Sequence, residues 1–220
     1  MVFIEINITM STEVIDLKQD LEFDILNRCQ RNWIPNSVTE EDRITLEKVA
    51  NNSPTKQNVN YFKLVSISNQ PIQQQLFYIA HSESDQKHLP NKNTQMLAPL
   101  LFCWIGNIDE TWERVNNKQL NNKNIFIENL LLNSGISAGT VLAAANSMNY
   151  DTGFCKCFDQ YEMQDYFKSL GIIDDDRIFP LFFLGIGHAN TTLESNQCDI
   201  GTDIYSVRRN PLERKPVIRI

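Results

Sequence analysis

Clustered arginines and lysines are the side chains of this sequence whose type and spacing most directly indicate a chemistry. Five of its 20 cationic residues fall within residues 208–220, where Glu213 is the only acid. Three further cations lie far upstream, at Arg28, Arg31 and Lys56. Guanidinium groups bind phosphate through forked, charge-assisted hydrogen bonds. These positions therefore indicate a site for an anion, although each cation taken alone is more often a solvated surface charge.

The overall charge limits what that anion is. The 220-residue chain carries 20 basic and 27 acidic residues, a formal charge of −7, and its pI is near 5.0. An acidic surface repels a phosphate backbone, so nucleic acid is a poor partner. A small phosphorylated molecule held in one locally basic pocket remains compatible with this charge.

Cysteine and histidine do not form a metal-site pattern. Cys155 and Cys157 are two residues apart, whereas structural zinc sites use four ligands from wider pairs, and His81, His88 and His188 form no such pair. Two interpretations of the thiols stay open: small buried side chains, or residues that flank a ligand pocket. The odd count of five cysteines, in a chain that opens without a basic signal region, favours a reduced cytoplasmic setting.

No residue set for self-contained catalysis stands out. The phosphate-binding loop G-x-x-x-x-G-K-[ST] is missing, and the one G-x-G, at Gly185 and Gly187, lacks a third glycine. His188 follows a buried strand, where a structural histidine is a better interpretation than a ligand. If the protein is an enzyme, a cofactor carries its chemistry.

The longest apolar strand-like run, residues 97–106, is about half of what spans a bilayer, so no membrane partner is expected.

Hydrophobic periodicity predicts the elements that must position these residues. Helices are expected over residues 12–30, from near Val38 with Thr39 as N-cap, over 125–148, and over 160–170 with Gly171 ending the last one. Strands are expected over residues 61–68 and 76–80 as a hairpin-like pair, over 99–105, and over 178–186. Residues 1–11 are a lead-in, 81–93 a loop that leads into a short helix, and 116–124 an exposed amide-rich stretch. This mixture, without a domain boundary in residues 1–220, predicts one α+β domain or a three-layer α/β/α sandwich.

The predicted helix over residues 125–148 is apolar on almost every face, which is typical of a helix buried nearly all round. Gly135, Gly139 and Ala143 give it one ridge without bulk, where another helix can approach closely. Packing inside the monomer and a subunit interface both explain such a ridge. The interface is favoured, because a lone small domain seldom buries a whole helix.

Taken in order, several segments resemble the FMN-dependent nitroreductase family. Residues 27–33 (NRCQRNW) are similar to its R-R-S-x-R-x-F motif, with Asn27 in place of the first arginine. Residues 53–62 (SPTKQNVNYF) are similar to its S-P-S-S-x-N-x-Q-P-W loop, and residues 207–211 (VRRNP) to its basic C-terminal motif. Further matches are Asn91, the central helix at 135–149, the turn at 154–159 and the strand at 180–188. The likeness covers about residues 21–217, and the order and spacing of the motifs carry it.

The resemblance implies an architecture. The family fold is a three-layer α/β/α sandwich around a central mixed, mainly antiparallel sheet. It implies a homodimer with an exchanged C-terminal segment, in which residues 205–220 form an arm that contacts the partner subunit. One FMN would lie in each of two pockets at the subunit interface.

The resemblance also implies the roles of the site residues. The phosphate ligands would be Arg28, Arg31, Arg208 and Arg209. Neutral partners for the ribityl chain and the ring edge would come from an amide set, Asn58, Asn60 and Asn91, and from Pro54 and Thr55, with Cys29 standing where the family has a serine. Backbone groups at Phe154, Cys155, Lys156 and Cys157 would face the isoalloxazine ring. No metal and no catalytic side chain is implied.

The activity implied by the resemblance is a ping-pong cycle. NADH or NADPH would transfer a hydride to FMN, and a nitroaromatic, quinone or related small acceptor would then be reduced in the same pocket. Such a cycle requires positioning more than protein acids and bases. Two alternatives remain: a flavin-binding protein on the same scaffold without turnover, and an unrelated structural α+β dimer.

Overall fold

A computed structural model of the chain describes residues 29–80, 93–107, 123–192, 197–199 and 204–206. Several expectations lie outside the described residues: 1–11, most of the predicted helix over 12–30, the predicted loop over 81–93 except its last residue, residues 116–122 of the amide-rich stretch, and most of the arm over 205–220. The same holds for four candidate site residues, Arg28, Asn91, Arg208 and Arg209. At the end of the predicted first helix, Cys29 and Gln30 are described and are not helical.

Four antiparallel strands form the central sheet. They are β1 (Lys63–Ile67), β2 (Leu100–Asn107), β3 (Asp151–Cys155) and β4 (Ile178–Gly187). Their order across the sheet is β1-β2-β4-β3, which makes β1 and β3 the two edge strands. Two short strands, β5 (Gln197–Asp199) and β6 (Ile204–Ser206), pair separately. The mainly antiparallel sheet is confirmed, and no parallel pair occurs among the described strands.

Four α-helices accompany the sheet in the described part of the chain. They are α1 (Glu40–Asn51), α2 (Gln70–Ile79), α3 (Lys123–Ser147) and α4 (Gln160–Ser169). Short 3-10 turns occur at Lys56–Asn58 and Thr94–Leu97. The predicted cap of α1 is confirmed, since the Thr39 hydroxyl accepts a hydrogen bond from the amide of Asp42 at 3.1 Å. The predicted end of α4 is confirmed as well, with Gly171 at a φ of +70° just beyond it.

The two faces of β2 build two separate cores. Leu100, Phe102 and Trp104 pack with buried side chains of α1 and α3, whereas alternate residues of the strand pack with α2 and α4. This alternation follows from the two-residue period of a strand. It confirms the three-layer α/β/α arrangement and the prediction that the strand over residues 99–105 is covered on both faces.

One predicted strand is wrong. Residues 76–80 were expected to pair with residues 61–68, of which 63–67 do form β1, but residues 70–79 are helical. The side chain of Asn69 caps this helix by accepting from the amide of Ile72 at 3.1 Å, and Pro71 lies in its first turn. Asn-Gln-Pro is therefore a helix start and not a hairpin turn. The apolar run at residues 76–80 is short enough to fit either a strand or the end of a helix.

The expectation that α3 is buried nearly all round is wrong for one face. Leu131, Leu132 and Ile136 are exposed by 44%, 57% and 38%. A methyl group added at Gly135 or Gly139 would meet no atom within 4 Å. The ridge without bulk therefore has no neighbour among the described residues, and the apolar character of α3 serves both an internal face and one that these residues leave open. We call Leu131, Leu132, Gly135, Ile136 and Gly139 the open face of α3.

Candidate functional site

Residues 29–34 run from the outer edge of β3 to the residues that follow β4. The amide of Gln30 donates to the carbonyl of Thr152 at 2.8 Å, and the amide of Ile34 donates to the carbonyl of His188 at 2.9 Å. Next to the first of these bonds, the Cys29 thiol donates to the carbonyl of Phe154 at 3.3 Å. Two candidate site segments, 125 residues apart in the sequence, are thereby brought together.

A glycine permits this close approach. A Cβ built at Gly153 would lie 2.2 Å from the carbonyl oxygen of Gln30, a distance that no side chain tolerates. The backbone of residues 29–31 can therefore lie against β3 only where the strand lacks a side chain. Glycine at position 153 is therefore required for the contact between the two segments at this point.

The three thiols at this edge differ in their surroundings. Cys29 and Cys157 are exposed, whereas Cys155 is buried in the core between the sheet and helices α2 and α4. Burial raises the pKa of the Cys155 thiol to about 12, so it stays neutral at physiological pH. Cys155 can offer a ligand its backbone but not a thiolate. This fits the interpretation of a small buried side chain for Cys155, while Cys157 lies at the surface.

A short buried turn supports both segments. The Gln95 side-chain amide donates to the carbonyl of Phe154 at 3.3 Å and to the Cys29 sulfur at 3.6 Å. The Asn93 side-chain amide donates to the carbonyl of Cys157 at 3.0 Å and also to that of Ala80. Sequence reasoning placed an amide at Asn91 and did not consider these two residues. No local signal identifies them, because the chain is rich in polar amides throughout.

The loop at residues 53–60 lies beside β1, at the opposite edge of the sheet from β3. The Lys56 amide donates to the Asn133 side chain at 2.7 Å, and its ammonium group donates to the Asn129 side chain at 3.2 Å. Both asparagines belong to α3. Gln57 and Asn58 adopt left-handed backbone conformations, with φ of 60° and 56°. Such residues cost about 1–2 kcal/mol each, and conformations of this kind cluster at binding sites.

A cavity of about 500 Å³ opens beside this loop. Its size falls within the range of about 300–1,000 Å³ that is typical of small-molecule sites. Candidate residues Thr55, Asn58 and Asn60 line it, and Lys63 adds a cation. Hydroxyl and amide side chains of this kind are suited to hydrogen bonds with a neutral, hydroxyl-rich chain.

The candidate residues therefore fall into two groups at opposite edges of the sheet. The group at β3 contains Cys29, Arg31 and residues 154–157, and the group at β1 contains residues 54–60. Two strands separate β1 from β3, so the edge strands lie three spacings, roughly 14 Å, apart. A monomer thus presents two groups of candidate site residues on different edge strands, which we call the candidate β1 half-site and β3 half-site.

Other chemistry is limited in the described part of the chain. The ring of His188 stacks against Tyr150 with 4.7 Å between centroids, and its backbone amide donates to Ser37 at 2.9 Å, which supports the structural interpretation of this histidine. Among the residues described, no group of three or more histidine, cysteine or acidic side chains is placed to hold a metal ion. None of the described helices has both the length and the apolar composition needed to cross a bilayer.

Comparison with known proteins identifies the fold. No family model matches the sequence, and no curated protein is significantly similar to it. Solved structures do match. Nitroreductase A from Vibrio parahaemolyticus is 16% identical with a TM-score of 0.61, over 80% of this chain and 70% of that one. The Bacillus subtilis protein ydfN is 17% identical with a TM-score of 0.62, over 91% of this chain and 96% of that one.

A third similar structure was solved with a bound ligand. The NADPH:FMN oxidoreductase from Vibrio harveyi, solved in complex with NAD+, is 15% identical with a TM-score of 0.61, over 88% of this chain and 79% of that one. These similarities confirm the fold that the sequence motifs predict. The chain has the nitroreductase fold.

Proposed function

We propose that this protein is an FMN-dependent oxidoreductase that uses NADH or NADPH to reduce nitroaromatics, quinones or related small acceptors. The observation that carries the proposal is the meeting of residues 29–31 with residues 154–157 at the edge of β3. These are the segments that the resemblance assigns to the cofactor, and they meet within a nitroreductase fold.

The donors of the two half-sites fit the chemistry of FMN. Arg31 supplies a guanidinium group for a phosphate, and Arg28, Arg208 and Arg209 are proposed to join it. The hydroxyl of Thr55 and the amides at the cavity suit ribityl hydroxyl groups. Asn91 and Pro54 complete the proposed set. Lys156 adds a positive charge beside the backbone segment that would face the ring.

We further propose a homodimer. The open face of α3 is an exposed apolar surface, and the two half-sites of one monomer lie at opposite edges of its sheet. Joining the β1 half-site of one copy to the β3 half-site of another would complete a pocket and cover this face. The arm at residues 205–220 is proposed to reach the partner.

We also propose that residues 1–220 form a single domain, because both described cores share one sheet.

The chain's own residues would bind and orient and would not transfer protons. Bound FMN would supply hydride acceptance and donation. Phe154, with 41% of its surface exposed, offers an aromatic face next to the β3 half-site and would exclude water from it. Four of the five cysteines, Cys29, Cys103, Cys155 and Cys157, are free thiols, which supports a reducing, cytoplasmic setting.

A visible absorption spectrum tests the cofactor, and anaerobic titration tests the activity. The purified protein should show flavin absorbance after incubation with FMN, and NADH or NADPH should bleach it in the absence of oxygen. A bound flavin that neither nucleotide bleaches would support the binding protein without turnover. A protein that stays colourless with excess FMN would contradict the proposal and leave the unrelated structural dimer.

A further inference from the structure

The buried side chains of Asn93 and Gln95 contact the β3 half-site without belonging to it. We propose that both are positioning residues of the cofactor site, which fix residues 154–157 at both ends and hold Cys29 in place. The inference rests on the proposed function for the identity of the ligand. The arrangement itself rests on contacts within the described residues.

The first step is that two carbonyl groups are anchored from one turn. Gln95 donates to the carbonyl of Phe154 at 3.3 Å and Asn93 to that of Cys157 at 3.0 Å. These carbonyls lie at the two ends of the segment whose backbone would face the flavin. Fixing both ends restricts the directions of the peptide groups between them, since planar peptide units leave only two soft dihedrals per residue.

The second step is that the turn itself is held rigidly. The Trp33 indole donates to the carbonyl of Thr94 at 3.0 Å, and the amide of Met96 donates to the carbonyl of Asn93 at 3.0 Å. Asn93, Thr94 and Gln95 are all at least 97% buried. One buried turn therefore ties residues 29–33 and residues 154–157 into a single unit, which is the preorganisation that a binding site requires.

The third step concerns the unpaired oxygen of Gln95. Its Oε1 is buried and accepts no hydrogen bond, and the Thr94 hydroxyl beside it has no partner either. A buried acceptor without a partner costs stability. A methionine fits the same volume without that cost. The unpaired oxygen therefore offsets the stability that the two bonds donated by Nε2 contribute, and the positions those bonds fix explain the glutamine better than stability does.

Gln164 provides a matched comparison. It is equally buried, and its Nε2 also donates to two backbone carbonyls, those of Asp176 at 2.9 Å and Ile178 at 2.6 Å. In contrast to Gln95, its side-chain oxygen accepts a hydrogen bond, from Lys168 at 3.3 Å. Gln164 belongs to α4 and joins that helix to the start of β4, and its hydrogen bonds with Asp176, Ile178 and Lys168 involve no candidate site residue.

The experiment compares Gln95→Met with Gln164→Met in the full chain. Three quantities are measured: the urea midpoint of the flavin-free protein, the Kd for FMN, and the rate at which iodoacetamide alkylates Cys29, followed by peptide mass spectrometry. We expect Gln95→Met to leave the midpoint unchanged or raise it, to raise the Kd about tenfold, and to accelerate alkylation of Cys29. Gln164→Met should lower the midpoint and leave the other two quantities unchanged.

Equal Kd values and equal alkylation rates in Gln95→Met and wild type would overturn the inference. So would equal effects of the two substitutions on both quantities. If the wild-type protein binds no FMN, the proposed function fails, and the alkylation rate alone decides: acceleration specific to Gln95→Met supports the positioning role, and unchanged rates reject it. If Gln95→Met does not fold, Gln95→Leu is measured in the same way.

Discussion

At the residue scale, Tyr150 joins helix α1 to the loop after α3. Its hydroxyl donates to the Asp42 carboxylate at 2.6 Å, in the first turn of α1. This bond, with a second one from Thr39, lowers the pKa of Asp42 below its ordinary value of 3.8. Burial, together with the same carboxylate, raises the pKa of Tyr150. The contact therefore contributes a stability that depends on pH.

Replacing Tyr150 by phenylalanine tests that contribution. The loss of a hydrogen bond to a charged group should lower the free energy of unfolding by about 1–2 kcal/mol at pH 7. Because the pKa of Asp42 is lower in the folded state, the stabilisation is complete above pH 3.8 and is lost as the pH falls through the folded value. Urea unfolding at pH 7 and at pH 2.5 should show a smaller difference between variant and wild type in acid.

A second tyrosine serves as the control for this measurement. Tyr161 is 70% exposed, so Tyr161→Phe should leave the free energy of unfolding unchanged at both pH values. The free energy of unfolding that Tyr150→Phe loses could also be equally large at both pH values. In that case the hydroxyl would stabilise the packing of the ring against His188, and the bond to Asp42 would contribute nothing.

Individual site residues were predictable only where a motif names them. Cys29 and Phe154 are joined across 125 residues, and no local pattern encodes such a contact, so only the resemblance predicts it. Gly153 gives no sign in the sequence that the backbone of Gln30 lies against it. Gln95 escapes prediction for the same reason, since a buried amide and a solvated one look alike until their neighbours are known.

At the element scale, α3 carries an apolar face that none of the described residues covers. Substituting both Leu132 and Ile136 by lysine should convert the proposed dimer largely to monomer, because the interface would have to bury two charges. The unfolding midpoint of the monomeric form should change little, since both side chains are already exposed there. Sedimentation velocity measures the change.

Tyr78→Lys is the matched control. The tyrosine lies on α2 and is 68% exposed, so this substitution should leave the sedimentation coefficient unchanged. A wild-type protein that sediments as a monomer would contradict the proposed dimer directly. Dissociation by Tyr78→Lys alone would move the interface to the opposite layer of the molecule.

Periodicity predicted some elements better than others for a physical reason. Strands β2 and β4 have long apolar runs because helices cover both of their faces, so their pattern is unambiguous. The run at residues 76–80 is only five residues long, which suits a strand or the last turns of a helix. The capping bond of Asn69, visible only in three dimensions, decides in favour of the helix. For α3 the predicted helix is confirmed, but its apolar pattern did not show that the described residues leave one face uncovered.

At the scale of the whole molecule, one sheet holds two cores and carries a half-site on each edge strand. Glycine and amide contacts fix the β3 edge, and the loop docked on α3 fixes the β1 edge. Neither edge depends on the other for its local geometry. A change at one half-site should therefore leave the structure of the other intact.

A consequence of this separation is complementation: two variants that each fail to bind FMN should regain FMN binding when they form a mixed dimer. Arg31→Glu would disable the β3 half-site, and Thr55→Glu the β1 half-site, so each homodimer should be unable to bind FMN. In a mixed dimer one pocket would combine both defects, and the other would be formed by the two undamaged halves. With random assortment, about a quarter of all pockets should regain FMN binding after the two variants are unfolded and refolded together. Fluorescence titration with FMN measures the recovery, and no recovery would show that each pocket is built within one chain.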